Sequence, residues 1–176
     1  MTKCNVGCGL YPLAGYLNID ADARVNPDLV MRVPPLPFED GDLSEVYAGH
    51  YLEHLTREEA VTFLAECYRC LKPGGVLAIV VPDTREIMRR YLAGAVDCVE
   101  YPPDVWHNVA DLDEVCALWL YSTVQGSLHR WSYDRETLGR MMASAGFRKL
   151  HEIDRYRDGR LGSPAWYQVG VEGVKE

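Results

Sequence analysis

The sequence predicts an α/β domain, with three layers built around a mostly parallel sheet. Three observations predict it. Short apolar runs in the first half end in glycine or an acidic residue, VLAIVV at 76–81 is apolar at every position, and amphipathic patterns alternate with such runs. A run apolar throughout suits a strand covered on both faces. Strands alternating with helical patterns build a layered domain. The 176 residues suit a single domain, 1–176, large enough to bury a substantial core.

In chain order, residues 4–7 and 16–19 read as strands. The gap between them is too short for a helix, since parallel strands normally need a dozen or more connecting residues, so a shortened first crossover is expected. NPDLVMRVPPLPFEDGD, 26–42, reads as loop. SEVYAG, 44–49, follows as a strand. Thr56 and Glu59 have capping-box spacing, and Ala60, Leu64, Cys67 and Leu71 recur at helical intervals, with Pro73-Gly74-Gly75 expected to stop the helix. After the strand at 76–81, Asp83 to Glu86 opens a helix to about Leu92. Residues 94–111 read as loop and 112–124 as helix. Leu138, Met141, Met142 and Ala145 mark a last helix ended by Gly146. FRKLHEI and WYQVGV, 147–153 and 166–171, are the final strands, the second alternating as an antiparallel or edge strand does.

The net charge of −8, from 26 acidic and 18 basic residues, is unlike that of a nucleic-acid binder and suits a cationic cofactor and a small substrate. No apolar run approaches the ~20 residues of a membrane span, and MTKCNVGCG lacks a signal-like apolar stretch. A cytoplasmic protein is expected. Cys67 and Cys70 form a C-x-x-C without a second such pair, so the six cysteines read as reduced and partly buried.

Ligands of open α/β sheets bind beyond the carboxyl ends of the strands. Here those ends are Gly7–Gly9, Asp20, Gly49–His50 and Pro82–Asp83, which should line one cleft. A dinucleotide site wants a third glycine, whereas position 12 is proline and Asp20 arrives early. Alone, the two glycines read equally well as a tight turn.

The blocks KCNVGCGLYPLAGYLNID, PLPFEDGDLSEVYAGHYLEH and ECYRCLKPGGVLAIVVPD, in this order, resemble the class I S-adenosylmethionine-dependent methyltransferases. The likeness is to a small family with an N-V-G-C-G start and an S-H-x-L-E-H-like motif. HRWSYD and ASAGF, at 129–134 and 143–147, look like that family's C-terminal part, so the resemblance spans nearly the whole chain and is patchy only at about 93–128. It implies a Rossmann-like methyltransferase fold with an antiparallel C-terminal strand. S-adenosylmethionine is the implied cofactor, held by Gly7, Cys8, Gly9, Asp20, Ala21, Val33 and His50. The glycines would let the backbone approach it, and Asp20 would accept hydrogen bonds from both ribose hydroxyls. Arg32 stands near where the family often carries an adenine-contacting Asp, so backbone groups around Val33 are the expected adenine contacts. Residues 84–133 would form the acceptor side and a lid.

Methyl transfer needs alignment above all, and a general base only where the acceptor must lose a proton. Candidate catalytic residues are His50, Asp83 and His129, with His107 a weaker one. Each has a structural alternative: a hydrogen-bonded turn with Glu53 for His50, a helix N-cap for Asp83, a packed loop for His129. The expected acceptor is a small molecule methylated on oxygen or nitrogen, with a sugar or polysaccharide component implied by the resemblance; no nucleic acid, membrane or metal is expected, and the protein would be a monomer or homodimer. Two alternatives stand beside this reading. His50-Tyr51-Leu52-Glu53-His54 matches the H-x-x-E-H zinc-peptidase signature, which needs a continuous helix and a third ligand. A non-catalytic cofactor-binding relative is the other.

Overall fold

A computed structural model describes residues 2–93, 129–154, 156–158 and 166–176. Its strands are β1 (Thr2–Val6), β2 (Leu17–Asp20), β3 (Leu29–Val30), β4 (Leu43–Gly49), β5 (Leu71–Pro82), β6 (Arg148–Glu152) and β7 (Gln168–Val174). They form one sheet in the order β3-β2-β1-β4-β5-β7-β6. The first five run parallel, and β7 is antiparallel to both β5 and β6. The antiparallel strand is therefore as expected in direction, but it lies inside the sheet; the edges are β3 and β6. The two-residue β3 falls within the stretch read as loop.

The first crossover holds no helix. Ten residues, 7–16, carry the chain from β1 to β2, which pair in parallel with Asn5 opposite Asn18. The loop's polar groups, which a helix would satisfy internally, are met by two asparagines. The Asn18 Oδ1 accepts from Leu13 N at 2.7 Å, and Asn18 Nδ2 donates to the carbonyls of Leu13 and Tyr16. Asn5 Nδ2 donates to Tyr11 O and to Asn18 Oδ1.

Helix α1 (Arg57–Cys70) starts with the predicted capping box: Glu59 N donates to Thr56 Oγ1 and Thr56 N to Glu59 Oε2. It buries Ala60, Phe63, Leu64, Cys67 and Cys70. It does not run to Pro73-Gly74-Gly75. Leu71 is already extended and pairs with Leu43 of β4, and Pro73, Gly74 and Gly75 lie within β5. Proline biases the residue before it away from helix, and pairing with β4 draws Leu71 into the sheet. The orphan carbonyls of the helix end are met by Lys175, whose Nζ donates to Tyr68 O and Leu71 O, both at 2.6 Å.

Helix α2 (Thr84–Leu92) opens at Asp83, whose Oδ1 accepts from Glu86 N at 3.1 Å. Helix α3 (Arg135–Ser144) is capped by Asp134. Arg85 joins the two helix starts by pairing with Asp134 and Glu136.

Alternation along the strands separates two cores. Cys4, Val6, Ile19, Val46, Ala48, Leu77, Ile79 and Val81 pack with Phe63 and Leu64 of α1 and with Leu138 and Met142 of α3. On the opposite face a smaller cluster joins Tyr47, Ala78 and Val80 to Ile153 and Tyr156, with Leu13 and Tyr16 against it. A row of ion pairs, Lys3–Glu45–Arg157–Glu172, crosses that face. Cys4, Cys67 and Cys70 are fully buried free thiols. Burial pushes the Cys4 thiol up to about 12 and the Cys67 thiol well above its ordinary value, so neither is poised to react.

Among the described residues no helix is long and apolar enough to cross a membrane. The loop and helix expected at 94–111 and 112–124, with His107, Cys98 and Cys116, lie outside the described residues, as does most of the expected lid.

Candidate functional site

A cavity of about 660 Å³ opens at the carboxyl ends of β1, β2 and β4. That volume is within the range of small-molecule sites. Its wall includes Gly7, Gly9, Asp20, Ala21, Val33 and His50, together with Tyr51 and His54. Cys8 is buried and is not part of the wall; nor are Asp83 and His129.

Gly7 N and Cys8 N both donate to Ile19 O, tying the turn after β1 to the end of β2. Gly7 and Gly9 adopt left-handed backbone, φ 66° and 49°. Their surroundings differ. A Cβ on Gly7 would stand 2.4 Å from the Tyr51 ring, whereas one on Gly9 would meet no atom of the described residues within 4 Å. The first glycine is thus required by a packed tyrosine, and only the second leaves backbone bare toward open space.

Asp20, at the tip of β2, holds the turn together. Its Oδ2 accepts from Gly9 N at 2.8 Å and its Oδ1 from Asp22 N at 2.9 Å. A carboxylate offers about four acceptor sites, so each oxygen retains capacity for another donor. Val33 is buried, and its carbonyl accepts from the Tyr51 hydroxyl. Arg32 is mostly exposed and pairs with Glu59.

His50, the residue after β4, adopts left-handed backbone, φ 54°, an uncommon conformation for a residue other than glycine. Its Nδ1 lies 3.0 Å from Glu53 Oε1, and Gln168 Nε2 lies 2.8 Å from its Nε2. With the amide donating to Nε2, the ring proton sits on Nδ1 and is given to Glu53. Both nitrogens are engaged, in the hydrogen-bonded turn anticipated for this pair.

Leu52–His54 is a single 3-10 turn, with Leu55 extended after it. The H-x-x-E-H pentad therefore does not form the continuous helix that would place His50 and His54 on one face. Glu53 is 1 % exposed. Burial pushes its carboxyl up, but the His50 hydrogen bond and the neighbouring histidines outweigh this and hold it below the ordinary carboxylate range. His129 is buried against the same turn, its ring edge-on to that of His54 with centroids 4.8 Å apart. Arg130 N and Trp131 N both donate to Glu53 O, which anchors the segment.

Asp83 caps α2 and gives its own N–H to Tyr167 O. Burial holds its carboxyl above the ordinary range, against the opposing bonds from the helix N–H groups.

Reading the sequence missed Tyr51, Gln168 and the Asn5–Asn18 pair. Asparagine in mid-strand is disfavoured, and its occurrence at matched places in NVG and NID was the available signal for the last of these. Gln168 carried none, because its contact with His50 joins positions 118 apart in the chain.

Residues 6–79 match the family model described as a methyltransferase domain. The chain is 31 % identical over 144 residues to the ubiquinone/menaquinone biosynthesis C-methyltransferase UbiE of Neisseria meningitidis, an alignment covering 76 % of this chain and 53 % of that protein. It thus spans about half the length of the curated relatives it matches. Among solved structures, a SAM-dependent methyltransferase from Thermotoga maritima superposes with a TM-score of 0.62 at 16 % identity, covering 99 % of this chain and 82 % of that one. The Haemonchus contortus phosphoethanolamine N-methyltransferase 2, solved with S-adenosylhomocysteine, superposes with a TM-score of 0.59 at 11 % identity, covering 99 % and 48 %. These structures share the fold. With the methyltransferase-domain match over residues 6–79, they make the chain similar to the S-adenosylmethionine-dependent methyltransferases.

Proposed function

We propose that the chain binds S-adenosylmethionine in this cavity and transfers its methyl group to an oxygen or nitrogen of a small-molecule acceptor. The observation that carries the reading is Asp20 beside Gly9: a carboxylate with acceptor capacity to spare, next to a glycine whose Cβ direction is open among the described residues. The residues fit the cofactor. The carboxylate suits a ribose diol, the cavity volume suits a nucleoside with an amino-acid tail, and the net charge of −8 favours a cationic ligand.

Gly9 and Asp20 would hold the ribose, Ala21 and Val33 would flank the base, and Tyr51 keeps the Val33 carbonyl in place. His50 would stand at the mouth with both nitrogens committed, as a positioning group. Bound there, the cofactor supplies an activated methyl group on a sulfonium, displaced in line by the acceptor. Alignment of the partners is the main service this chain can offer, worth up to ~7–11 kcal/mol in model systems. A carboxylate set against the sulfur would stabilise the ground state most, since the charge is lost during transfer; Asp20 works better at the ribose. The working protein would be cytoplasmic, monomeric or homodimeric, and a sugar or polysaccharide acceptor rests on sequence resemblance.

A carbon acceptor is the second reading, favoured by the 31 % identical relative, whose name specifies C-methylation. The test is incubation with methyl-labelled donor and fractionated cell extract, followed by identification of the labelled bond. Label on oxygen or nitrogen supports the first reading and label on carbon the second. Cofactor binding with no transfer to any fraction would identify a non-catalytic relative.

A further inference from the structure

The histidine-rich turn after β4 contains an arrangement that methyl transfer does not use. Ligand atoms of Glu53, His54 and His129 all lie within 4.8 Å of one another. Glu53 is 1 % exposed, and its Oε2 has no hydrogen-bond partner among the described residues. A buried carboxylate oxygen left unpaired is costly. The His129 Nε2 is 4.0 Å from Glu53 Oε1. We infer that Glu53, His54 and His129 form a binding site for a borderline divalent metal ion such as Zn²⁺, at the edge of the cofactor cavity.

Two imidazole nitrogens and one carboxylate oxygen are the donor set such an ion takes, at about 2.0–2.2 Å from each. Tetrahedral ligands at that radius stand about 3.3–3.5 Å apart, so the three groups must close in by up to roughly 1.5 Å. Side-chain torsions supply that movement, while the backbone is already pinned by the bonds from Arg130 N and Trp131 N to Glu53 O. Ligating carboxylates are characteristically hydrogen-bonded through their remaining capacity. Here the support exists: Gln168 contacts His50, and His50 in turn contacts Glu53 Oε1. His54 lines the cavity and provides the entry path. Three protein ligands leave a coordination position for an oxygen donor from water or a bound molecule.

This site differs from the zinc-peptidase signature. It takes only Glu53 and His54 from the pentad and replaces His50 by His129, 75 positions beyond His54, as the 3-10 turn requires. It is independent of the methyl-transfer reading.

The test is calorimetric titration of chelator-treated protein with Zn²⁺, with Co²⁺ absorption reporting the coordination. One ion per chain is expected at micromolar affinity or tighter, with Co²⁺ bands of a nitrogen–oxygen site and no displacement by Mg²⁺. His54→Ala and His129→Ala should each weaken Zn²⁺ binding about 100-fold or more. His151→Ala, on the surface, should leave it unchanged. S-adenosylhomocysteine titration of the same samples reads the cofactor site separately. No saturable Zn²⁺ binding to the parent, or unchanged affinity in His54→Ala, overturns the inference. Should His129→Ala fail to melt cooperatively, His54→Ala decides alone.

Discussion

Asn5 Nδ2 donates to Asn18 Oδ1 at 2.9 Å, linking the middles of two paired parallel strands through buried side chains. Asn18 also bonds to Leu13 N, Leu13 O and Tyr16 O, and both its backbone N–H and its Nδ2 reach Asp28 Oδ2. These bonds hold a ten-residue connection where a crossover helix would otherwise stand. Asn18→Ala leaves Leu13 N without its acceptor and Asn5 Nδ2 with Tyr11 O alone. We expect it to lose about 2–4 kcal/mol of stability in urea unfolding, and about 10-fold in S-adenosylhomocysteine affinity because Gly9 rides on the same loop. A loss under about 0.5 kcal/mol would show that water replaces the asparagine.

Gly7 and Gly9 should respond differently to alanine. At Gly7 the new methyl meets the Tyr51 ring at 2.4 Å and the backbone is left-handed, so a loss of about 2–4 kcal/mol is expected. At Gly9 only the backbone cost remains, about 1–2 kcal/mol, and the larger effect should appear in cofactor affinity. Thermal unfolding and ligand titration of both variants separate the two. The double variant Gly7→Ala/Tyr51→Leu should recover part of the Gly7→Ala loss; no recovery would place that loss in the backbone alone.

Asp83 is a helix cap whose carboxyl is held above its ordinary range, chiefly by burial. With the folded value raised, the native state binds more protons than the unfolded chain between the two values. Stability contributed by this group therefore falls as pH rises through that window, and the charge is unfavourable at neutral pH. Asn caps as well as Asp. Asp83→Asn should equal or exceed the parent in stability at pH 7, and the advantage should shrink as pH falls into the carboxylate range. Asp83→Ala should lose about 1 kcal/mol with the cap. Urea unfolding at pH 7 and pH 4 checks both, and a destabilised Asp83→Asn at pH 7 would contradict the assignment.

Local signals carried far in this chain. The Thr56–Glu59 capping box, the apolar run of β5 and the short β1–β2 gap are properties of contiguous residues, and each took the expected form. What escaped reading depends on partners distant in sequence. The end of α1 is set by Leu71 pairing with β4 and by Lys175 reaching back to the last turn, so Pro73-Gly74-Gly75 became strand. The place of β7 inside the sheet is likewise decided by β6 pairing on its far side. At the site, Gly9, Asp20 and His50 were legible as strand-end residues on the cavity wall. The reason for Gly7 was hidden, because Tyr51 packs on it from 44 residues away.

On the proposed function, Asp20 and its glycine turn hold the methyl donor. Calorimetric titration of the parent and of Asp20→Ala with S-adenosylhomocysteine, with NAD as control, tests it most directly. Micromolar binding by the parent, about −8 kcal/mol, is predicted, with no response to NAD. Asp20→Ala should still melt cooperatively and bind about 100-fold more weakly, the loss of two hydrogen bonds to a charged group at about 1.5 kcal/mol each. Unchanged affinity in Asp20→Ala, or no binding by the parent, would contradict the account.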